Sequence, residues 1–209
     1  MGSFSIAVGT EFAGHTVDSW RTDPELQRSM SYATLGSRYL PGAKMFFRVA
    51  SLGDLVVSAT VASSPLLYET IPTRTTNDRS RNFCLFMPNK PRVVTVGQDR
   101  FLQQAGECVL SDSAAGVVGE YREAHAGLCL SIPFAILQRY LSIAEDVDCV
   151  RLGRSAVLSR LISRLLLSVW DAVDCGAATD AVRLADALLR LLASGWCRRA
   201  TTRPTARAR

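Results

Sequence analysis

The sequence predicts an α+β protein in which an antiparallel β-barrel or sandwich is followed by a C-terminal helical hairpin. Two patterns lead to this prediction. Up to residue 132, short runs rich in β-branched residues alternate with turn residues, as is typical of antiparallel strands. From Pro133 onward, apolar residues recur at the spacing of amphipathic helices. The 209 residues are enough for one sizeable core.

The first part of the chain contains several runs with the composition of strands, each bounded by turn residues such as proline, glycine or asparagine. The predicted strands are Asp54–Ala62, Asn82–Met87, Arg92–Val96, Glu107–Ser113 and Ala126–Ile132. Ahead of them, Asp23 and Pro24 have the pattern of a helix start, so a short N-terminal helix is also predicted.

The second part begins with a short helix at Pro133 and continues with two long helices. These are predicted over Ser155–Val173 and Asp180–Trp196, with Gly176 suited to end the first of them. The short loop predicts that the two helices are antiparallel neighbours. The chain therefore divides into a β-region at 1–132, a helical region at 133–197 and an Arg-rich tail at 198–209.

The net charge of +5 comes from that tail. Residues 198–209 contain five arginines and no acid, so the remaining 24 − 5 = 19 basic residues balance the 19 acidic ones. A nucleic-acid-binding domain normally has a basic face on its folded part, which a neutral body does not favour. We interpret the tail as disordered, and a weak phosphate-binding arm is the alternative.

Residues that support metal or nucleophilic chemistry are not spaced for it in this sequence. The six cysteines form no C-x-x-C pair and most lie in apolar runs, as buried free thiols do in a reducing compartment. The two histidines, His15 and His125, are far apart, and no G-x-S-x-G, G-x-G-x-x-G or P-loop motif occurs. No apolar run reaches the length of a membrane span. We expect a cytoplasmic protein with no enzymatic activity, no metal and no cofactor.

Aromatic residues in the β-region suggest a different function. In a closed barrel some of them must point inward, where they either fill the core or line a small ligand site. A core position is the more common role for any one aromatic residue. The candidates for ligand contact are Phe47, Tyr68, Phe83, Phe86 and His125.

The segment "VGQDRFLQQAGECVLSDSA", residues 96–114, resembles the sensor domains of AraC-type (AraC/XylS) transcription regulators. These domains show a glutamine-containing turn, a strand, Pro-Gly-Asp, and then apolar residues that end in Asp-Ser. This sequence has Ala105 where proline is usual and Glu107 where aspartate is usual, and both changes are compatible with a turn. The matching residues are Gly97, Gln98, Asp99, Arg100, Gly106, Glu107, Asp112 and Ser113.

Two further segments resemble the same family. "RVASLGDLVVSATVASSP" is similar to its early strand pair, and "LCLSIPFAILQRYL" to its strand-then-helix step. The resemblance implies a cupin-like β-barrel that binds a small organic effector, followed by helices that dimerise the regulator. Packing of the same helical residues onto their own barrel is the alternative. The candidate dimer residues are Leu158, Leu161, Leu165, Val169, Leu184, Leu188 and Leu191.

In this family a separate C-terminal module with two helix-turn-helix units binds DNA, and the sequence ends about where that module would begin. We therefore expect an effector-sensing and dimerisation domain truncated before the DNA-binding domain. Its partners would be a small effector and either a second copy or a full-length regulator, without DNA binding or membrane association of its own. The alternatives are a small metal-free cupin enzyme, such as an isomerase, and direct DNA binding by the helical hairpin.

Overall fold

A computed structural model describes residues 45–62, 66–69, 81–141, 147–152 and 156–200. The predicted helix near Asp23 and Pro24, and residues 201–209 of the tail, lie outside these ranges. For Phe47 and Tyr68 the structure describes the backbone alone. Among the described helices, none is long and apolar enough to cross a membrane.

Antiparallel strands make up most of the first part of the described chain. The strands are β1 (Met45–Leu52), β2 (Leu55–Ala62), β3 (Leu66–Glu69), β4 (Asn82–Pro88), β5 (Arg92–Val96), β6 (Asp99–Gln103), β7 (Val109–Asp112), β8 (Val117–Tyr121), β9 (His125–Pro133) and β10 (Cys149–Arg151). The helices are α1 (Phe134–Tyr140), α2 (Ala156–Asp174) and α3 (Ala178–Ala200), and a 3₁₀ turn covers Ser113–Ala115.

The strands pair into two antiparallel sheets. The large sheet has the order β1-β2-β9-β4-β7-β10, and the small sheet has the order β3-β8-β5-β6. Neighbours in these sheets are often distant in sequence, since β4 lies between β9 and β7. The prediction of antiparallel β-structure followed by helices is confirmed. Strand pairing within the described ranges gives two separate sheets and does not show the closed barrel of the prediction.

The main core lies between one face of the large sheet and the three helices. On β4 this face carries Phe83, Leu85 and Met87, and on β9 it carries Leu128, Leu130 and Ile132. Large apolar side chains of α2 and α3 complete the same core, and all these residues are almost fully buried. We call this side of the large sheet its helix face. Burial of so many branched side chains is the main stabilising contribution to the fold.

Helix α2 ends in a structured turn that its sequence predicts. Gly176 has a φ of 74°, and its N–H donates to the carbonyl of Val173. The N–H of Ala177 donates to the carbonyl of Ala172, which completes a Schellman motif. The left-handed conformation that this motif requires explains the glycine. Helix α3 then runs to Ala200, three residues into the segment interpreted as a tail.

Several strands have bounds close to those predicted, and others were missed. Strand β5 covers the predicted Arg92–Val96, and β9 extends the predicted strand by one residue at each end. The turn expected at Gly97–Arg100 is shorter, because β6 already begins at Asp99. Strands β3, β8 and β10 were not predicted. Helix α1 begins at Phe134, with Pro133 as the preceding cap residue in extended conformation.

Candidate ligand-binding site between the sheets

The two faces of the large sheet differ sharply in composition. While the helix face carries large apolar side chains, the opposite face carries many small side chains, several of them polar, with Val56 and Val109 among them. It faces the small sheet, since Arg92 of β5 lies over the ring of Phe86. We call it the inter-sheet face. The strand register places there Ser58, Cys84, Ser111, Gly127, Cys129 and Ser131. Short side chains on this face leave more room than the close-packed helix face does.

Phe86 is the aromatic side chain that β4 adds to the inter-sheet face. Its register partner on β9 is Cys129, and its ring extends diagonally toward Gly127. A Cβ atom at Gly127 would lie 2.4 Å from Cζ of Phe86, well inside van der Waals contact. Glycine is therefore required at this position by the close approach of the ring, because a side chain would displace it.

Arg92 is a buried arginine at the start of β5, on the same side of that strand as Val94 and Val96. Its guanidinium Cζ lies 4.0 Å from the centroid of the Phe86 ring, a cation–π contact between the two sheets. Its Nε donates to the side-chain oxygen of Gln103 at 2.7 Å, and Nη1 donates to the hydroxyl of Tyr121 at 3.1 Å. Strands of both sheets thus meet at one guanidinium.

Gln103 connects the small sheet to the large sheet. Its amide nitrogen donates to the carbonyl of Phe86 at 3.1 Å and to the carbonyl of Glu107 at 2.7 Å, while its oxygen accepts from Arg92. The side chain is fully buried and uses both ends of its amide. Loss of this residue would leave buried polar groups unsatisfied, which costs about 1–3 kcal/mol for each group.

His125 begins β9 and is stacked on Tyr121, with ring centroids 3.3 Å apart and planes within 3° of parallel. Its Nδ1 lies 3.3 Å from the carbonyl of Glu123, which fits a neutral ring that donates through Nδ1. Burial lowers the pKa of His125 to about 4, and the nearby charge of Arg92 acts in the same direction. His125 is therefore uncharged at neutral pH, with Nε2 as a hydrogen-bond acceptor. We call Phe86, Arg92, Gln103, Tyr121 and His125 the arginine cluster.

Among the residues proposed for ligand contact, Phe86 and His125 belong to the arginine cluster. Phe83 lies on the helix face instead, where its ring stacks on Phe134 of α1 at 5.9 Å. Phe83 therefore packs in the core and does not belong to the arginine cluster. The contacts of Phe47 and Tyr68 are outside the described side chains. Among the described residues, no group of three or more His, Cys, Asp or Glu is arranged to hold a metal.

Sequence reasoning did not single out Arg92 or Gln103. The alternation within "RVVTV" was the available signal, because it places Arg92 on the same side as two buried valines. A charged residue at the end of a strand is usually solvated, so the sequence alone did not indicate that Arg92 is buried.

The glycines and acids of the motif in residues 96–114 form turns and ion pairs. Gly97 and Gly106 both have positive φ, of 56° and 73°. The buried carboxylate of Glu107 accepts a hydrogen bond from the N–H of Gln104 at 2.9 Å and forms an ion pair with Arg151 at 3.0 Å. These contacts explain why glycine and an acid fit this turn, and they give Glu107 a structural role.

The Asp-Ser end of the motif has a similar role. Asp112 accepts from the N–H of Ala114 at 2.9 Å and forms a largely buried ion pair with Arg81 at 2.7 Å. The hydroxyl of Ser113 accepts from the N–H of Asn82 at 3.4 Å, which connects the 3₁₀ turn to β4. In the first half of the motif, Gln98, Asp99 and Arg100 are exposed. The motif residues thus shape the turns around the arginine cluster without belonging to it.

The proposed dimer residues are divided between the core and the surface. Val169 and Leu188 are fully buried in the chain's own core and have no surface left for a partner. Leu161 is 47% exposed, and Val157, one turn earlier on α2, is 62% exposed. The remaining candidates are partly buried against the core, namely Leu158, Leu165, Leu184 and Leu191.

No family profile matches the chain, and no curated protein matches it. Among solved structures, the AraC-like transcriptional activator CuxR is similar with a TM-score of 0.63 and 17% identity. The match covers 83% of this chain and 64% of the CuxR chain, so this chain spans less than two thirds of that protein.

Two other solved structures are far less similar. Ylba from E. coli has a TM-score of 0.36 at 8% identity, and the match covers 58% of this chain and 49% of Ylba. AerE from Microcystis aeruginosa has a TM-score of 0.35 at 10% identity, and the match covers 56% of this chain and 53% of AerE. At these values neither supports an inference. The similarity to CuxR shows that the chain shares its fold with an AraC-like transcriptional activator.

Proposed function

We propose that this chain is the effector-binding and dimerisation part of an AraC-like transcription regulator, and that a small organic effector binds between its two sheets. The observation that carries the proposal is the small-residue inter-sheet face beside the arginine cluster, in a chain whose fold is that of an AraC-like activator. The helix-face residues of β4 and β9 are almost fully buried, whereas Cys84, Phe86 and Cys129 on the inter-sheet face are partly accessible.

The chemistry of the arginine cluster fits recognition of a small ligand. It combines aromatic surface from Phe86 and Tyr121 with a fixed positive charge from Arg92 and an acceptor nitrogen from neutral His125. A few convergent polar groups in an otherwise apolar surrounding are typical of ligand sites. The hydrogen bonds that Arg92 donates to Gln103 and Tyr121 fix the guanidinium before a ligand arrives, which reduces the entropy cost of binding.

A thermal-shift screen of small organic acids, amines and sugars tests the effector role. A true effector raises the melting temperature of the wild-type chain, because it binds the folded state alone. In the variant Ser131→Leu an added side chain occupies the inter-sheet face, so the shift should disappear. Ser194→Leu is the matched control, since the same substitution is made at an exposed serine on α3. An equal shift in all three proteins would place binding elsewhere and contradict the proposal.

The dimer surface that we propose lies on α2, around Val157 and Leu161. Both are large apolar residues exposed on one side of the helix, four residues apart, and Arg160 and Arg164 flank them. Light scattering on the purified chain is expected to report a dimer. A monomer at all accessible concentrations would refute this part of the proposal.

A small metal-free enzyme of the isomerase type is the second candidate. The convergence of His125, Tyr121 and Arg92 favours it, because an uncharged histidine with an acceptor nitrogen can take part in proton transfer. Each stabilising ligand from the screen should be incubated with the protein and followed by mass spectrometry and NMR. Recovery of the unchanged ligand supports the sensor, and catalytic conversion that is absent in His125→Gln supports the enzyme.

A further inference from the structure

The strand register places three cysteines on the inter-sheet face of the large sheet. Cys84 on β4 is paired with Ser131 on β9 and with Ser111 on β7. Cys149 on β10 is paired with the same Ser111, and Cys129 on β9 is paired with Phe86. Their common orientation follows from the period-two alternation of strands, so all three thiols face the space between the sheets.

Cys84 and Cys129 are neighbours on adjacent strands, in a diagonal relationship, and their thiols are hydrogen-bonded to each other. Ser131 adds a second hydrogen bond to the thiol of Cys84. Both cysteines keep part of their surface accessible, whereas Cys108 is fully buried. Neither thiol of the pair is therefore sealed in the core against a small reagent.

The hydrogen bond between the thiols favours loss of the first proton. It lowers the pKa of Cys84, because Cys129 donates to the Cys84 thiolate, and the same bond together with burial raises the pKa of Cys129. The charge of Arg92 lies near enough to favour the Cys129 thiolate as well. The pair thus offers one activated sulfur with a second sulfur held beside it.

The diagonal arrangement decides what the pair can form. Diagonal neighbours in an antiparallel sheet have Cα atoms about 7–8 Å apart. A disulfide requires Cα atoms within about 6.8 Å and an S–S bond of about 2.05 Å, so it would need backbone movement. A single atom that bonds both sulfurs lets them stay farther apart, and it can bridge the pair with the sheet unchanged.

We propose that Cys84 and Cys129 form a dithiol site that binds soft electrophiles able to bond two sulfurs, of which trivalent arsenicals are the simplest class. An organoarsenic oxide and the two thiols form two As–S bonds, and the oxygen leaves as water with both thiol protons. Arsenic stays trivalent, so no oxidant or reductant is needed. The site does not depend on the proposed effector function, since it requires the two thiols alone.

Phenylarsine oxide and mass spectrometry test the proposal on the full, reduced chain. One equivalent of the reagent is added, excess 2-mercaptoethanol follows, and the remaining thiols are alkylated in denaturant. We expect one phenylarsenic group per chain and joint protection of Cys84 and Cys129. The monothiol should not remove it, whereas 2,3-dimercaptopropanol should.

Single variants show whether two sulfurs are required. Cys84→Ser and Cys129→Ser should each lower the arsenic retained against the monothiol at least tenfold. Cys149→Ser is the matched control, because Cys149 shares the face but lies two strands from Cys84, about 10 Å away. It should retain arsenic as the wild type does. Circular dichroism checks that each variant is folded, and protection in the wild type remains decisive if one is not.

Three outcomes would overturn the proposal. They are an absence of joint protection in the wild type, retention by either single variant, and equal loss in Cys149→Ser. Formation of a Cys84–Cys129 disulfide with diamide in a chain that retains no arsenic would also overturn it, and would assign the pair to redox chemistry instead. Because the readout is the state of two thiols, a failed effector screen leaves this result unaffected.

Discussion

Gly127→Ala offers a sharp test of how the two sheets meet. The new Cβ would lie 2.4 Å from Cζ and 2.9 Å from Cε2 of Phe86, whereas carbon atoms prefer to be about 3.5–4.0 Å apart. The Phe86 ring must therefore move by more than about 1 Å. The ring cannot move freely, because Cζ of Arg92 lies 4.0 Å from its centroid. The backbone of Phe86 is also held in place, since its carbonyl accepts a hydrogen bond from Gln103.

The expected cost combines two contributions. Forcing the ring away from its rotamer costs about 0.5–1.5 kcal/mol, and weakening a buried cation–π contact costs about 1–2 kcal/mol. We therefore expect Gly127→Ala to lower the free energy of unfolding by about 2–3 kcal/mol, within the range for overpacked cores. Urea unfolding followed by circular dichroism gives the value directly.

A second background separates this clash from a general intolerance of alanine. In Phe86→Leu the shorter side chain no longer reaches residue 127, and alanine is intrinsically better than glycine in a strand by about 0.5–1 kcal/mol. Gly127→Ala should then be neutral or stabilising, which gives a coupling energy of about 2–4 kcal/mol in the double-mutant cycle. The same cost in both backgrounds would refute the proposed contact between Phe86 and Gly127.

Two further predictions concern pH and assembly. The folded-state pKa of His125 is about 4, below its unfolded value of about 6.5, so the unfolded chain takes up the proton first as the pH falls. The stability from neutral His125 is complete above about pH 6.5 and is lost toward pH 4; between pH 7.5 and 5.0 the loss is about 2 kcal/mol. Urea unfolding should show this slope in the wild type and lack it in His125→Gln, and equal slopes would contradict the buried neutral ring. Leu161→Lys should convert the dimer to a monomer in light scattering and change the stability of the folded chain by less than about 0.5 kcal/mol, because the side chain is 47% exposed. Val182→Lys, at a residue of α3 that is 46% exposed, should leave the dimer intact. Dissociation by both variants, or by neither, would rule out the α2 surface.

Features that depend on local sequence were predictable. The alternation in "RVVTV" gave the bounds of β5, since each residue's preference agrees with a half-buried strand. Gly176 was predicted to end α2 because a Schellman motif needs only the residues around it. The helical region was found for the same reason, although α2 is rotated relative to the expected apolar stripe. Leu166 and Trp170 are buried in the core, while Leu161 is at the surface.

Features that depend on distant partners were not predictable from the sequence. Strand β10 has only three residues and exists through its pairing with β7. Strand β6 begins with Asp99 and Arg100, which are poor strand formers, and the pairing of Asp99 with Val96 makes them part of a hairpin.

The same limit applies to the site. Phe83 and Phe86 belong to one strand, and only the position of the helices decides that Phe83 enters the core while Phe86 faces the other sheet. The arginine cluster unites residues from β4, β5, β6, β8 and β9, whose order in the two sheets cannot be deduced from local patterns. The motif in residues 96–114 indicated the fold and not the site, because its acids and glycines form turns.

The most direct test of the central claim is the melting temperature of the wild type, Ser131→Leu and Ser194→Leu with and without each small organic compound. At a concentration of 100 Kd an effector stabilises the folded chain by about 2.7 kcal/mol, which for this size corresponds to about 5–10 °C. We predict such a shift for at least one compound in the wild type and in Ser194→Leu, and none in Ser131→Leu. A shift of equal size in Ser131→Leu, or no shift with any compound, would contradict a ligand site between the two sheets.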